Sequence, residues 1–534
     1  MTNMLKTSPP ILLRNFRLAV LAGASVFLAF ETFRLVPFIL FFPVFFNALI
    51  FSVSSSRKAF FWGFFVSFII MLGGFYWVTY VIHEFGYLPW SVSALLFLGF
   101  CGFGALNFPV FAAASFWLNE TLKAKELTHS QRALWFAIGI PALFTLIEWS
   151  VPKLFPWYLG HSLYQQSWLI QLCEITGSTF FSFLIYCCGS VLGLYLLPGH
   201  FPGKTPKWIG LIPASLVVGS IFFSLFTLNN FSTTPAKTLR VALIQANIGS
   251  LDKVAAEQGI SSRVDSVLNR YKSLTEQTLA ARPQLIVWPE TAIPFQMDTL
   301  GHRQESVRSF VKEIGVPLLA GAYATSPLHA YRDYNAAFYL EPGPADLRTE
   351  IYYKNILLAF GEYLPLGDLF PRLYAAFPQV SDFERGTDQR AFTMADGTRL
   401  GVSICYEAIV PSFMRKVAEQ KIHAFINLTN DSWFGPTSEP YLHGALSVFR
   451  AIEHRVPLIR VTNTGTSFTV DALGRLSRRT PVYDSATLVS EVPIRPETQL
   501  TFYGRWGDWF IGFLLLIFSL NIVFVRGKRA SLLV

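Results

Sequence analysis

Eight mostly apolar stretches punctuate this 534-residue chain, at 16–33, 37–53, 59–82, 91–118, 133–149, 168–197, 208–228 and 509–525. A helix needs about 20 such residues to cross the hydrocarbon core of a bilayer. Runs of this length, repeated this often, point to membrane helices. Charged residues make up 14% of the chain, against about 25% in an average soluble domain. They are sparse from Phe16 to Leu228 and again after Trp509, and ordinary in between. The expected organisation is a transmembrane region of about seven helices at 1–237, a soluble domain at 238–507, and an eighth helix with a tail at 508–534. The second run is short, and the sixth is long enough to tilt or break. Ala22-Gly23-Ala24 resembles a signal-peptide cleavage site, but the apolar run continues beyond it, which favours a retained helix.

Basic residues gather at alternate ends of the runs: Lys6, Arg14 and Arg17; Arg57 and Lys58; Lys123, Lys125 and Arg132; Lys204 and Lys207; Arg526, Lys528 and Arg529. Cytoplasmic loops carry such an excess. With eight spans, both termini are expected in the cytoplasm and the soluble domain on the opposite face. This placement also accounts for much of the formal charge of +9. No basic stripe interleaved with stacking aromatics marks the soluble part, so a nucleic-acid partner is not expected.

Between the seventh and eighth runs the pattern alternates. Strand-like segments fall at 239–248, 284–288, 317–324, 335–340, 350–354, 399–404, 424–428, 458–461 and 467–470, and helix-like ones at 260–281, 303–314, 409–419 and 442–454. Such alternation argues for a layered α/β domain. Three strands close on chemistry: Leu285-Ile286-Val287-Trp288-Pro289-Glu290, Ile351-Tyr352-Tyr353-Lys354 and Leu400-Gly401-Val402-Ser403-Ile404-Cys405. Sites in α/β sheets form at the carboxyl ends of strands. Of five cysteines, Cys101, Cys173, Cys187 and Cys188 lie in apolar runs, and Cys405 alone is in the soluble segment. Gathered together, a carboxylate can take the thiol proton, the sulfur can attack an acyl carbonyl, and an ammonium with a backbone N–H can steady the oxyanion. A nearby lysine also favours the thiolate. Taken singly, the three have plainer readings: a small core residue, a solvated lysine and a Trp-Pro-Glu turn. No metal site is expected, because His423, His443 and His454 lack ligand-like spacing with acids or cysteines.

The soluble segment resembles the nitrilase superfamily, and the whole chain resembles the apolipoprotein N-acyltransferases. The motifs are Trp288-Pro289-Glu290-Thr291-Ala292-Ile293-Pro294; Tyr353-Lys354 with Phe360-Gly361-Glu362-Tyr363-Leu364-Pro365; Ile404-Cys405-Tyr406-Glu407; Asn430-Asp431-Ser432-Trp433-Phe434-Gly435; and Arg460-Val461-Thr462-Asn463-Thr464-Gly465. Glu148-Trp149 with Phe155-Pro156-Trp157 matches the membrane part.

The resemblance implies an αββα sandwich inserted between about eight transmembrane helices in the bacterial inner membrane, its domain periplasmic. It implies acyl transfer without cofactor, from a membrane phospholipid to the N-terminal amine of a diacylglyceryl-cysteine apolipoprotein, through a thioester on Cys405. Glu290 would be the base and Lys354 the oxyanion stabiliser. Glu362 would hold Lys354, Glu407 would orient the loop after the thiol, Tyr406 would offer its backbone N–H, and Asn335 would stand near the site. Trp433, Phe434 and Glu148 would line the substrate. Leu358-Ala359-Phe360 stands where the family has Val-Pro-Phe, and Ser150 where an arginine follows Glu-Trp. The aromatic-rich segment 360–380 is expected to dip into the interface as a lid. Nothing demands more than a monomer. The rival expectations are a membrane-tethered amidase acting on a small periplasmic amide and a scaffold or transporter with an inactive domain.

Overall fold

In the computed structural model, which describes residues 11–526 apart from 31–32, 105, 124–126, 201–204, 232–236, 330, 378–379 and 496–498, the apolar runs are helices. Those at Ile11–Ala29, Ser56–Gly74, Trp90–Leu122, His129–Ser150, Thr179–Leu196 and Lys207–Asn230 are long and apolar enough to cross a membrane. Val36–Ser52 and Trp509–Val523 are apolar but shorter, so eight apolar elements stand where eight spans were expected. Of the orienting cations, Lys6, Lys125, Lys204, Lys528 and Arg529 lie outside the described residues.

Three runs depart from single helices among the described residues, the fourth dividing into Trp90–Phe103 and Asn107–Lys123. The third breaks after Gly73-Gly74, and a separate helix, Trp77–Gly86, follows. Paired glycines lower the cost of leaving the helix. The sixth breaks as anticipated: a short turn at Cys173–Thr176 ends at Gly177, whose φ of 71° suits glycine. A Cβ there would also lie 2.6 Å from the Tyr503 ring. Inside the bundle, Phe42, Phe46, Phe108, Phe111, Phe144 and Tyr186 interlock edge to face and face to face. Asn47 ties two helices by donating to Ser190 Oγ (2.9 Å) and accepting from Tyr186 Oη (2.9 Å). Such interhelical bonds satisfy polar groups that lipid cannot.

Among its described residues the soluble domain holds eleven strands: β1 Lys237–Gln245, β2 Leu285–Gln296, β3 Leu318–Thr325, β4 Asp333–Pro342, β5 Leu347–Tyr353, β6 Ala391–Thr393, β7 Arg399–Ile404, β8 Ala424–Thr429, β9 Leu458–Thr462, β10 Phe468–Val470 and β11 Ala486–Ile494. They form a six-stranded sheet ordered β11-β1-β2-β3-β4-β5 and a five-stranded sheet ordered β10-β9-β8-β7-β6. β1, β2 and β3 run parallel, as do β7, β8 and β9. Period-two alternation splits the side chains between layers. Val241, Val287 and Leu319 meet Val402, Ile426 and Val461 in the core between the sheets. Ala242, Ile286 and Trp288 face outward to Val264, Leu268 and Phe310 of the helices Ser261–Glu276 and His302–Ile314. Helices Pro411–Ala418 and Glu439–His454 accompany the second sheet. This is the expected αββα sandwich. β6 and β11 were not foreseen. Both are sheet edges, one is three residues long, and the other is largely unburied.

The domain is seated on the membrane region through the irregular segment after the His129–Ser150 helix. Tyr406 Oη donates to Leu154 O (2.6 Å), Gln171 Nε2 to Leu473 O (2.9 Å), and Arg455 Nε to Glu174 Oε2 (2.7 Å). Tyr76 Oη accepts from Ser438 N (3.2 Å).

Candidate active site

Each of the three strand-end residues arrives by a different local route. Glu290 lies inside β2, where the pairing with β3 slips between Trp288 and Ile293. The next residue, Thr291, has a φ of 48°, an uncommon conformation for a β-branched residue. Gly321 of β3 makes the turn possible, because a Cβ there would lie 2.6 Å from Glu290 Cα and 2.5 Å from Thr291 N. Lys354 follows β5, held by its N–H on Asn335 O (2.9 Å). Cys405 follows β7 and also has a left-handed backbone, φ 52°. Strain of this kind, of order 1–3 kcal/mol, collects where a side chain must be presented.

The carboxylate of Glu290 accepts on both oxygens. Oε1 accepts from Asn335 Nδ2 (2.8 Å) and Lys354 Nζ (3.1 Å), and Oε2 from Asn430 N (2.8 Å). Lys354 Nζ also donates to Glu362 Oε1 (2.7 Å), and Asn335 bridges to the same oxygen (2.9 Å). An ammonium has three donors, so one remains beyond the two carboxylates. Glu362 Oε2 in turn accepts from Leu358 N (2.9 Å). Burial alone would raise Glu290, but Lys354, Lys253 and the hydrogen bonds hold it below its ordinary value. Burial would lower Lys354, yet Glu290 and Glu362 raise it above the usual lysine range. The thiol of Cys405 is pushed well up by burial and by Glu290, against the opposing pull of Lys354. These influences favour the thiol over the thiolate at rest. The expectation that the lysine would favour the thiolate is outweighed here, which leaves the proton for a base to take.

Glu407 is wholly buried; it caps the turn Cys405–Ile409 from within and also reaches across the chain. Oε2 accepts from Ile404 N (2.7 Å) and Tyr352 Oη (2.8 Å), and Oε1 from Asn355 N (2.6 Å) and Ile356 N (3.0 Å). It rivets the residue before Cys405 to the residues after Lys354. Burial pushes it up to about 7 against those bonds.

An apolar cavity opens at Cys405. Its walls come from both parts of the chain: Val26 and Ile70 of the membrane helices with Phe30, Phe75 and Trp77 at and beyond their ends, and Tyr406, Phe434 and Leu446 from the domain. Of the three expected lining residues only Phe434 faces it, packed edge-on against Trp77 (5.1 Å). Trp433 is turned aside against Phe85 (4.2 Å). Glu148 is buried behind the wall, where Oε1 accepts from Leu159 N (2.8 Å) and so fixes the segment that carries Trp157. The segment 360–380 bears exposed Phe360, Leu366, Leu369, Phe370 and Phe377, with 378–379 outside the described residues. Arg332 ties the interior of this segment, at Asp368 (2.7 Å), to the residue just past it, Asp382 (2.9 Å).

Sequence reasoning missed a second buried group. His443 Nε2 lies 3.2 Å from Cys405 O, and Nδ1 lies 3.3 Å from Asp431 Oδ1 and 3.7 Å from Glu439 Oε1. The signal available was Glu439 and His443 at i and i+4 on one helix. Asp431, Glu439 and His443 are close enough to share an ion. Arg460, 3.0 Å from Asp431 Oδ2, already supplies the positive charge there, so the donor set does not fit a metal.

Residues 240–496 match the carbon-nitrogen hydrolase family, and residues 22–191 match the apolipoprotein N-acyltransferase N-terminal domain. An apolipoprotein N-acyltransferase of Bdellovibrio bacteriovorus is 33% identical over 96% of this chain and 94% of its own length. One of Geobacter metallireducens is 31% identical over 93% of this chain and 92% of its own. Among solved structures, an amidase of Nesterenkonia AN1 from the nitrilase superfamily is similar over 52% of this chain and 97% of that one, at 16% identity and a TM-score of 0.37.

Proposed function

The chain belongs to the apolipoprotein N-acyltransferase family, and from that premise we propose that it moves a fatty acyl chain from a membrane phospholipid to the N-terminal amine of a diacylglyceryl-cysteine lipoprotein. The observation that carries the reading is the cavity: a thiol, with a carboxylate and an ammonium behind it, stands at the head of an apolar space walled half by membrane helices. A water-soluble amide would need no such walls.

Glu290 accepts the proton of Cys405, and the sulfur attacks the ester carbonyl of the phospholipid. The third N–H of Lys354 steadies the oxyanion. Collapse breaks the ester C–O bond, and the departing lysophospholipid oxygen takes the proton back from Glu290. The acceptor amine, neutral at the moment of attack, then adds to the thioester. Collapse breaks the C–S bond, and the proton from nitrogen returns to sulfur through Glu290. Glu362 and Asn335 position Lys354 and Glu290, and Glu407 positions the thiol. No cofactor enters either step. The basic clusters at alternate ends of the runs support both termini in the cytoplasm and the domain on the periplasmic face of the inner membrane. The exposed apolar residues of 360–380 suit a lid dipping into the outer leaflet, and a monomer suffices.

Intact-protein mass spectrometry after purification from membranes tests this. A fatty-acyl adduct on Cys405 should vanish on adding a diacylated lipopeptide, with a triacylated peptide appearing. Loss of the adduct to water alone would favour the tethered amidase. No adduct, together with full complementation by Cys405→Ala, would favour a scaffold.

A further inference from the structure

Lys253 is a buried lysine that the two steps above do not use. It lies on the helix Ser250–Glu257 and is 7% exposed. Its ammonium hydrogen-bonds Thr291 Oγ1, and that hydroxyl donates to the carbonyl of Glu290 (2.9 Å). Lys253 thus grips the left-handed turn that follows the base. It also lines a second, small cavity with Glu290, Thr291, Tyr271 and Asn463, distinct from the apolar one at Cys405. Other charged groups face it from several elements. Glu257, on its own helix, lies 4.0 Å away and accepts from Tyr323 Oη (2.6 Å). Glu290, Cys405 and Lys354 complete its surroundings.

We propose that Lys253 is a positioning residue for Glu290: it fixes the Thr291 turn and places a second positive charge near the carboxylate. The inference rests on the reading of Glu290 as the base. Two cations then share one duty. Lys354 must leave a donor free for the oxyanion, so its hold on Glu290 is partial. Lys253 carries no such obligation and holds the base ionised in the resting enzyme, ready for each proton it takes. The direction of the shift at Glu290, downward with Lys253 among its causes, agrees with this.

The test is the pH dependence of acyl-enzyme formation on Cys405, read by intact mass spectrometry on the full-length protein in phospholipid–detergent micelles. A nearby opposite charge lowers a carboxylate by about 1–3 units. In Lys253→Met the acid limb of the rate profile should therefore move up by about one unit. Lys253→Arg should keep the wild-type limb. Thr291→Ala, which removes the hydroxyl and leaves the charge, should keep the limb even where its rate falls. Lys253→Gln, which keeps a donor without the charge, gives the same reading should the methionine variant fail to fold. An unmoved limb in the uncharged variants, with an adduct still forming, overturns this role alone. No adduct on the wild-type protein overturns the acyl-enzyme reading, and this role with it.

Discussion

Replacing Glu407 by glutamine keeps its shape and removes half of its accepting capacity, and the geometry says which half. The side chain serves three backbone N–H groups and one hydroxyl. A carboxyl group, ionised or protonated, can accept at both oxygens, but an amide nitrogen cannot accept at all. The best placement of the substituted amide puts its oxygen at Asn355 N and Ile356 N and its NH₂ against Ile404 N. That orphans one buried N–H immediately before Cys405, where the flipped rotamer would orphan two. One orphan costs about 1–3 kcal/mol. If the whole loss falls on the step that presents the thiol, acylation slows by roughly 5–150-fold. Tyr352→Phe removes one hydroxyl, and Asn355 Nδ2, which donates to it, keeps Tyr353 O and Asp388 O as acceptors, so it should cost about 1 kcal/mol. Glu407→Ala orphans three N–H groups and should lower the thermal midpoint most of all. The assay is the rate of adduct formation on Cys405 with a phospholipid donor, beside the unfolding midpoint in detergent. Glu407→Gln acylating within about twofold of wild type, or Tyr352→Phe harming the rate more than Glu407→Gln, would refute the claim that Glu407 rivets the two strand ends.

Gly321→Ala should push Glu290 out of place, since its Cβ would meet Glu290 Cα at 2.6 Å; acylation should drop at least about tenfold with a lower midpoint, and unchanged kinetics would show that the turn has room. Replacing Phe360, Phe370 and Phe377 with alanine should cut turnover of phospholipid far more than turnover of a soluble acyl ester; equal loss on both would place these rings outside any lipid contact. Burial pushes Glu453 up to about 7. Its folded pKa therefore exceeds the unfolded one, and its contribution to stability, full below about pH 4.5, is lost as pH rises through 7. Glu453→Gln should flatten the fall in thermal midpoint between pH 5 and pH 8, and an unaltered slope would exclude Glu453 as its source.

The sequence exposes whatever is written locally. Apolar length marks the membrane helices, strand periodicity marks the two sheets, and ordered motifs pick out Glu290, Lys354, Cys405, Glu362 and Asn335, which the fold gathers within one hydrogen-bonded group apart from the thiol at its edge. What stays hidden depends on register and on contacts across the chain. The left-handed backbone at Cys405 and Thr291 carries no residue signature, since neither is glycine. Lys253 lies 38 positions before the threonine it binds. The inward turn of Phe434 and the outward turn of Trp433 differ by one position on a short helical turn. Glu148 reads as a substrate ligand only until Leu159 N is found on it.

Because Phe30, Phe75 and Trp77 form one wall of the cavity, the hydrophobic helices are more than a tether. Excised as a water-soluble fragment, residues 237–495 would carry every reactive group and yet lack the floor against which a fatty tail could lie. Such a fragment should behave as a sluggish esterase of short chains. Compounds aimed at this enzyme would gain selectivity by reaching down between the helices rather than by seeking out the sulfur alone.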